Sequence, residues 1–330
     1  MKPKLQWTRL DNAAKIFPAT SSVMDPKVFR CTCELYETVE PDILQQALDE
    51  TMEAFPYFRS ILKKGFFWYY LEQSALIPEV VQETKPPCSP IYSRDLHGLL
   101  LEVSYYKKRI NLEIFHALAD GTGALQFLQW LVMAYIRRKH QQTSLEETPV
   151  SRYTEHRHTQ DEYSKYYSKV RFGRQKSPIA YQIRGERLPQ FRYGVIECVL
   201  SAAEFTGLAK ERGATVTELL AAHLIQSIYE GMSVTDTRRP VMLSIPVNLR
   251  NYFPSESQRN FFGVILVGHN FSQEGKTFED ILANVKGQFA QQLSLEAINA
   301  RMSLLTSIEK NLVSKRSEER RVGKECRSRW

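Results

Sequence analysis

One short segment of the chain carries residues whose types and spacing suit acid–base chemistry. His116 is followed four residues later by Asp120, and Gly121 comes directly after it. An imidazole is the side chain best suited to move protons near neutral pH. A carboxylate close behind can fix the loop that carries the imidazole, and a glycine lets another molecule approach the backbone. His116 is therefore a candidate acid or base.

The residues around this segment predict a strand, a turn and a helix, in that order. Residues 110–116 alternate with a period of two, and residues 99–106 supply the other arm of a predicted hairpin. A turn cluster follows, and residues 124–136 read as an apolar helix that Thr122 could cap. The hairpin would deliver His116 to the end of a sheet, just before a helix N-terminus.

These residues, with a second segment, resemble a known group of enzymes. The arrangement at residues 116–121 is similar to the HxxxDG signature of the chloramphenicol-acetyltransferase-like superfamily. A predicted strand ends in Pro-Val-Asn-Leu-Arg at residues 246–250, and Arg-Asn-Phe-Phe follows at residues 259–262. This pair resembles the PVNLR…RNFF arrangement of bacterial alcohol acetyltransferase-like proteins. The superfamily also includes plant BAHD acyltransferases, polyketide-associated acyltransferases and peptide-synthetase condensation domains.

The resemblance implies a fold and roles for individual residues. The fold would be α/β, a two-lobed chloramphenicol-acetyltransferase-like sandwich whose second lobe is incomplete. His116 would act as general base, and Asp120 would hold the loop by pairing with Arg250. Arg259 is the competing partner of Asp120, and a solvated strand end is the alternative for Arg250. Gly121 would leave space for a pantetheine arm.

The implied activity is transfer of an acyl group from acyl-CoA to a small alcohol or amine. Acyl-CoA would be a co-substrate, with no permanently bound cofactor and no metal. Two alternatives stay open: a condensation-like enzyme that forms amides from acyl groups on a carrier protein, and a non-catalytic scaffold. Position 115 is Phe, which departs from the HHxxxDG pattern usual in condensation domains and favours transfer from acyl-CoA over the condensation-like enzyme.

Composition limits the remaining possibilities. The chain has 330 residues, of which 43% are hydrophobic, so it can bury a substantial core in two lobes. No apolar run is long enough to span a membrane, and no Gly-x-Gly-x-x-Gly, Walker or Gly-x-Ser-x-Gly motif is present. The cysteines lack metal-ligand spacing, and nothing completes a metal site beside His156 and His158. We expect a reducing, cytoplasmic location.

The last residues differ in character from the rest of the chain. Residues 316–330 look like the translation of a sequencing adapter, although a genuine basic tail is the alternative. They hold six basic and three acidic residues, so the net charge of +7 falls to +4 without them. That weakens the case for nucleic-acid binding. We expect the natural protein to continue past Lys315, and this fragment to fold poorly or be inactive without the later family segments.

The expected organisation is an N-terminal lobe at residues 1–150, a crossover linker at 151–190, a partial C-terminal lobe at 191–315 and the non-native tail at 316–330. Within the second lobe, two further expectations matter. Residues 191–200 predict a strand, and His223 lies in an apolar helical stretch where a core histidine is expected.

Overall fold

The structure is a computed structural model that describes residues 7–65, 68–93, 98–141, 161–166, 179–186, 188, 189, 192 and 194–310, without the side chains of 303–310. The chain divides into two compact units. As far as residues are described, the first unit comprises Met1–Tyr167, Phe253–Phe262 and Leu305–Trp330, and the second comprises Ser168–Tyr252 and Gly263–Leu304. Both units mix helices and strands, as the sequence predicts.

One segment of ten residues departs from the order of the chain. Phe253–Phe262 belongs to the first unit, although residues on both sides of it belong to the second. The predicted lobe boundaries at 150 and 190 lie beside or within segments outside the described residues, so they stay predictions. The structure adds that the first unit is built from three separate stretches of sequence.

The described part of the first unit combines strands and helices. Its elements in chain order are β1 (Trp7–Arg9), α1 (Ile16–Thr20), β2 (Val28–Glu34), α2 (Pro41–Ala54), β3 (Ser60–Lys64), β4 (Tyr69–Gln73), β5 (Val80–Gln82), β6 (Leu101–Tyr106), β7 (Arg109–Phe115), α3 (Gly121–Lys139) and α4 (Glu162–Lys165). One sheet has the strand order β2-β7-β6-β5, and another has the order β1-β4-β3.

The predicted hairpin is confirmed as β6 and β7. The strands are antiparallel, and Tyr106 lies opposite Arg109, so two lysines form the turn. The first of them, Lys107, has a φ of 51°, the left-handed conformation that tight hairpin turns require. Every residue of β7 after Arg109 is buried. Buried Glu113 is satisfied there, because it accepts hydrogen bonds from Arg30 Nε and Cys88 N, both at 2.7 Å.

The core of the first unit lies where α2 and α3 pack together. Each helix has an apolar stripe at helical spacing, which in α2 includes Leu44 and Leu48 and in α3 includes Phe127 and Leu131. The short turn after α2 adds Phe58, whose ring centroid lies 4.7 Å from that of Phe127. This core fixes the helix whose N-terminus follows the candidate site.

The second unit contains helices and a pair of strands. Its elements are α5 (Ala202–Glu211), α6 (Val216–Glu230), β8 (Val241–Asn248), β9 (Phe262–His269), α7 (Phe278–Gln292) and α8 (Leu295–Lys310). The first residue of β9, Phe262, and the part of α8 after residue 304 belong to the first unit. β8 pairs with β9. Leu219 and Ile225 of α6 pack with Ile265 and Val267 of β9 in one buried cluster.

Two expectations for the second unit are wrong. Residues 194–200 form no strand, and Ile196 and Val199 are almost fully exposed. An apolar alternating sequence needs a neighbouring strand to satisfy its backbone, and no strand pairs with these described residues. His223 is exposed rather than core, because the buried face of α6 runs through Leu219, Ala222 and Ile225; its ring stacks on Phe278 at 4.5 Å.

Among the described residues, no helix is long and apolar enough to cross a membrane.

The core between α2 and α3 leads to a stability prediction. Replacing fully buried Phe127 by alanine should lower the free energy of unfolding by about 3–5 kcal/mol, because aromatic contacts are lost and a cavity is left. Leu125 lies on the same helix and is 58% exposed, so Leu125→Ala should change it by no more than about 0.5 kcal/mol. Urea denaturation of both variants measures this, and equal losses would contradict the packing described.

Candidate functional site

His116 follows directly after β7, and both its backbone and its ring are held in place. Its backbone N–H donates to the carbonyl of Lys27 at 2.8 Å, beside the start of β2. Its ring stacks on Phe17 with a centroid distance of 4.2 Å and an interplanar angle of 12°. Phe29 and Phe262 contribute tilted contacts at 4.9 and 5.6 Å. These aromatic contacts restrict rotation of the imidazole, whose residue stays only partly buried.

Asn260 occupies the Nδ1 edge of this imidazole. Its Oδ1 lies 3.2 Å from His116 Nδ1. Its Nδ2 donates to the backbone carbonyl of His116 at 3.1 Å and to Asp11 Oδ2 at 3.5 Å. Because Nδ2 faces two acceptors, the carboxamide must present its oxygen to the ring, and Nδ1 must carry the hydrogen. In the neutral ring, Nε2 is then the nitrogen with a free lone pair.

The environment of His116 favours the neutral ring. Burial lowers the pKa of His116 below its ordinary value of 6.5, and nearby Lys27 acts in the same direction. The hydrogen bond of the ring to its own backbone, the contact with Asn260 and the charge of Asp120 oppose this lowering without cancelling it. At neutral pH the ring can accept a proton. No described residue forms a hydrogen bond with Nε2 in this structure.

Asp120 joins two segments that are far apart in sequence. Its Oδ1 accepts from Gly123 N at 3.1 Å, which makes it the N-cap of α3, and its Oδ2 accepts from Phe261 N at 2.9 Å. The prediction that Thr122 caps the helix is therefore wrong: α3 begins earlier than expected, at Gly121. A carboxylate is favourable at this end because it also complements the helix dipole.

The structure places the two arginines considered for Asp120 in different units. Arg250 lies in a short 3₁₀ turn, Leu249–Asn251, directly after β8 in the second unit. Its backbone N–H and its Nη1 donate to Asn248 Oδ1 at 3.1 and 3.3 Å. Its predicted pairing with Asp120 stays a prediction. Arg259 lies in the first unit and contacts Asp11, with 3.6 Å between Nε and Oδ2.

The two glycines at the start of α3 differ in their surroundings. A Cβ on Gly121 would have no atom within 4 Å, so space adjoins the backbone there. A Cβ on Gly123 would lie 2.1 Å from the backbone oxygen of Gln258. Gly123 is therefore the position at which the segment Phe253–Phe262 approaches the helix too closely for a side chain. That Gly121 leaves space for a pantetheine arm stays a prediction.

Asp11 and its neighbours support the site from behind. Asp11 is 1% exposed, and it accepts from Ala14 N at 2.8 Å. Burial raises the pKa of Asp11 to about 6, although the charge of Arg259 and the hydrogen bond from Ala14 lower it in part. The Nη2 of Arg259 donates to the carbonyl of Arg9 at 2.6 Å. A buried carboxylate and a buried guanidinium thus lie side by side behind Asn260.

Sequence reasoning found some of these residues and missed others. His116 and Asp120 lie between β7 and α3, and Gly121 is the first residue of α3. Asn260 was overlooked, although it lies in the Arg-Asn-Phe-Phe segment already noted, and a polar residue between an arginine and two aromatics was the available signal. Asp11 gave no signal, because nothing in its local sequence distinguishes it from a surface aspartate.

The structure gives no support for a metal centre. Among the described residues, no group of three or more His, Cys, Asp or Glu side chains could hold a metal ion. His156 and His158 lie outside the described residues.

Comparison with known proteins defines the fold. No family model matches the chain, and no curated protein is similar to it in sequence. TRI101 of F. sporotrichioides, solved in complex with coenzyme A and T-2, matches with a TM-score of 0.62 and 12% identity, over 92% of this chain and 78% of that one.

Two further solved structures are similar. Polyketide synthase associated protein 5 from Mycobacterium tuberculosis matches with a TM-score of 0.59 and 15% identity, over 89% of this chain and 75% of that one. The first condensation domain of the calcium-dependent antibiotic synthetase, in complex with a substrate analogue, matches with a TM-score of 0.57 and 14% identity, over 88% of this chain and 76% of that one. The predicted two-lobed α/β fold of the chloramphenicol-acetyltransferase-like and condensation type is confirmed.

The glycine geometry predicts opposite results for two alanine substitutions. Gly123→Ala should strongly destabilise the first unit, because its Cβ would overlap a backbone oxygen that cannot move alone. Gly121→Ala should leave the melting temperature nearly unchanged, since nothing lies within 4 Å of its Cβ. Thermal unfolding followed by circular dichroism compares them, and a stable Gly123→Ala variant would be inconsistent with this close approach.

Proposed function

We propose that the chain is an acyltransferase that moves an acyl group from acyl-CoA to a small alcohol or amine, with His116 as general base. The observation that carries this proposal is the ring of His116. Burial lowers its pKa below the ordinary value of 6.5, which favours the neutral form; the residue is partly accessible, and Asn260 engages Nδ1, which leaves Nε2 to accept a proton. The fold shared with TRI101, whose structure contains coenzyme A, supports the choice of donor.

The proposed reaction proceeds through one tetrahedral intermediate. Nε2 takes the proton from the hydroxyl or amine of the acceptor as the acceptor's oxygen or nitrogen bonds to the thioester carbonyl carbon. When the intermediate collapses, the carbon–sulfur bond breaks, and the imidazolium returns the proton to the departing thiolate. General-base catalysis of this kind contributes about 10²–10⁴-fold to the rate.

The other residues support the base without touching the reacting atoms. Asp120 holds the loop that follows His116 by accepting two backbone N–H groups. The space beside Gly121 would take the pantetheine arm of the donor. In this proposal Arg250 strengthens the hold on Asp120 by a charge-assisted pair. The activity is metal-free and takes place in the cytoplasm.

A second candidate is amide formation from acyl groups loaded on a carrier protein. The similarity to a condensation domain favours it. Phe115 in place of a second histidine disfavours it, because condensation domains usually carry two histidines there. Turnover that requires a loaded carrier protein and fails with acyl-CoA would select this candidate over the first.

The proposal predicts that His116→Gln lowers thiol release from acyl-CoA by about 10²–10⁴-fold. Release is measured for several acyl-CoAs against a panel of primary alcohols and amines. His223→Gln is the matched control, since the same substitution at an exposed histidine of the second unit removes only a ring contact with Phe278. Undiminished thiol release by the His116→Gln variant would refute the general-base role of His116.

A labelling readout accompanies turnover, because it reports a single reaction at the ring and does not require repeated catalysis. Bromoacetyl-CoA should alkylate Nε2 of His116 with loss of bromide, since a neutral imidazole beside a donor site is a nucleophile. Peptide mass spectrometry should find the label on His116 and not on His223. If the protein showed no turnover and bromoacetyl-CoA did not label His116 selectively, the proposal would be overturned.

The pH dependence of the reaction follows from the lowered pKa of His116. Protonation removes the lone pair, so kcat/KM should fall about tenfold per pH unit below that pKa. Because burial places the pKa below 6.5, activity should persist at pH 6.5 and disappear only at lower pH. A pH–rate profile with an acid limb centred above 6.5 would contradict the environment described for the ring.

A further inference from the structure

The carboxamide of Asn260 lies between the imidazole of His116 and the buried carboxylate of Asp11. On one side its Oδ1 faces His116 Nδ1 at 3.2 Å. On the other its Nδ2 reaches the carbonyl of His116 at 3.1 Å and Asp11 Oδ2 at 3.5 Å. Asn260 is 2% exposed and Asp11 is 1% exposed, so solvent does not compete for these groups.

Only one orientation of this carboxamide satisfies its neighbours. A backbone carbonyl and a carboxylate both accept hydrogen bonds, so they require the amide nitrogen on their side. Turning the carboxamide over would set its oxygen against two other oxygens. The amide oxygen therefore faces the ring, and it can be satisfied only by a hydrogen on Nδ1.

The groups around Asp11 keep it an acceptor. Arg259, whose Nε lies 3.6 Å from Asp11 Oδ2, compensates its charge, while Tyr57 and Asp161 are the other titratable groups that influence it or its partner. Burial raises the pKa of Asp11 to about 6, so the carboxylate is ionised at pH 8. At that pH it attracts Nδ2 of Asn260 most strongly.

We propose that Asn260 is a positioning residue for acyl transfer: held by Asp11 and by the His116 carbonyl, it fixes the imidazole as the Nδ1–H tautomer and leaves Nε2 as the base. The catalytic meaning of this inference rests on the proposed function. The tautomer itself is a property of the folded chain and can be measured without turnover. In other proteins, the hydrogen-bond partner of one ring nitrogen likewise sets the tautomer of a catalytic or metal-ligating histidine.

The direct test is ¹⁵N NMR of histidine-labelled protein at pH 8, with the His116 signals assigned by their loss in His116→Gln. The native chain should show hydrogen on Nδ1 and a bare Nε2. Asn260→Leu should convert the ring to the Nε2–H tautomer or to a mixture. If Asn260→Leu kept a pure Nδ1–H ring, the bond of the ring to its own backbone would suffice, and the inference would be overturned.

Kinetics provide the second test. Asn260→Leu should lower kcat by about 10–100-fold with little change in KM, because Asn260 acts on the base and not on the substrate. Asn260→Asp keeps an oxygen against Nδ1, but its second oxygen would face the His116 carbonyl and Asp11 Oδ2, so it should recover only part of the rate. Its added charge favours imidazolium, so it should raise the pKa of His116 and move the acid limb of kcat/KM to higher pH. An unmoved limb together with an unchanged rate would count against the inference.

Asn111→Leu is the matched control. Asn111 is fully buried in the same unit, on β7, and its amide bonds Thr32 and Glu83 rather than the imidazole. This variant should lose stability while its His116 tautomer and the pH dependence of its remaining activity stay native. If it changed the tautomer as Asn260→Leu does, general loosening would explain both results, and the inference would fail.

The outcomes separate the two proposals. If His116→Gln keeps full turnover, the proposed function fails, whereas the tautomer measurement still decides the role of Asn260. If His116 is essential but Asn260→Leu keeps both tautomer and rate, only the inference fails. Should Asn260→Leu not fold, Asn260→Asp and Asp11→Asn decide: a native tautomer and a native pH profile in both would overturn it.

Discussion

The carboxylate of Asp120 is the interaction on which the rest of the site depends. One oxygen accepts the N–H of Gly123 and the other accepts the N–H of Phe261, a residue 141 positions away in sequence. Hydrogen bonds to a buried charged acceptor are about twice as strong as neutral ones. Through this pair of bonds the segment Phe253–Phe262 is held against the start of α3. Because Asn260 precedes Phe261, the same bonds bring its carboxamide to His116.

The polar groups behind the imidazole follow from the same constraint. A segment that passes so near to a helix N-terminus must satisfy its backbone and its charges without water. The opposite charges of Arg259 and Asp11 compensate each other. The hydroxyl of Tyr163 satisfies the backbone of Phe262, because it donates to the Phe262 carbonyl at 2.7 Å and accepts from the Phe262 N–H at 3.1 Å. The site is thus polar but closely paired, which favours a single arrangement of its parts.

Local sequence predicted those parts of the structure whose causes are local. The hairpin that ends at His116, the helix opened by Pro41 and the loop of His116, Asp120 and Gly121 each depend on alternation, turn residues or spacing within about twenty positions. The helix cap was assigned to Thr122 instead of Asp120 because either side chain could accept from the first turn. Residues 194–200 show the limit of such reasoning, since a strand pattern gives a strand only where a partner exists.

The partners of the imidazole could not be predicted in this way. Asn260 and Asp11 meet His116 only because β7, the N-terminal segment and Phe253–Phe262 converge in the first unit, and no spacing in the sequence encodes that convergence. Asp11 illustrates the difficulty: its raised pKa comes from burial, which is a property of the assembled unit.

The discontinuity of the first unit has a consequence for biosynthesis. When the nascent chain has emerged from the ribosome as far as residue 166, the hairpin β6–β7 and the helices α2 and α3 are outside the tunnel, but Asn260 and Phe261 are not yet translated. At about 5–20 residues per second, roughly 5–20 seconds pass before they leave the tunnel. During that interval the surface at Gly123, which Gln258 covers in the folded unit, is exposed in the nascent chain. A chaperone that acts on this polypeptide would bind at that surface during that interval.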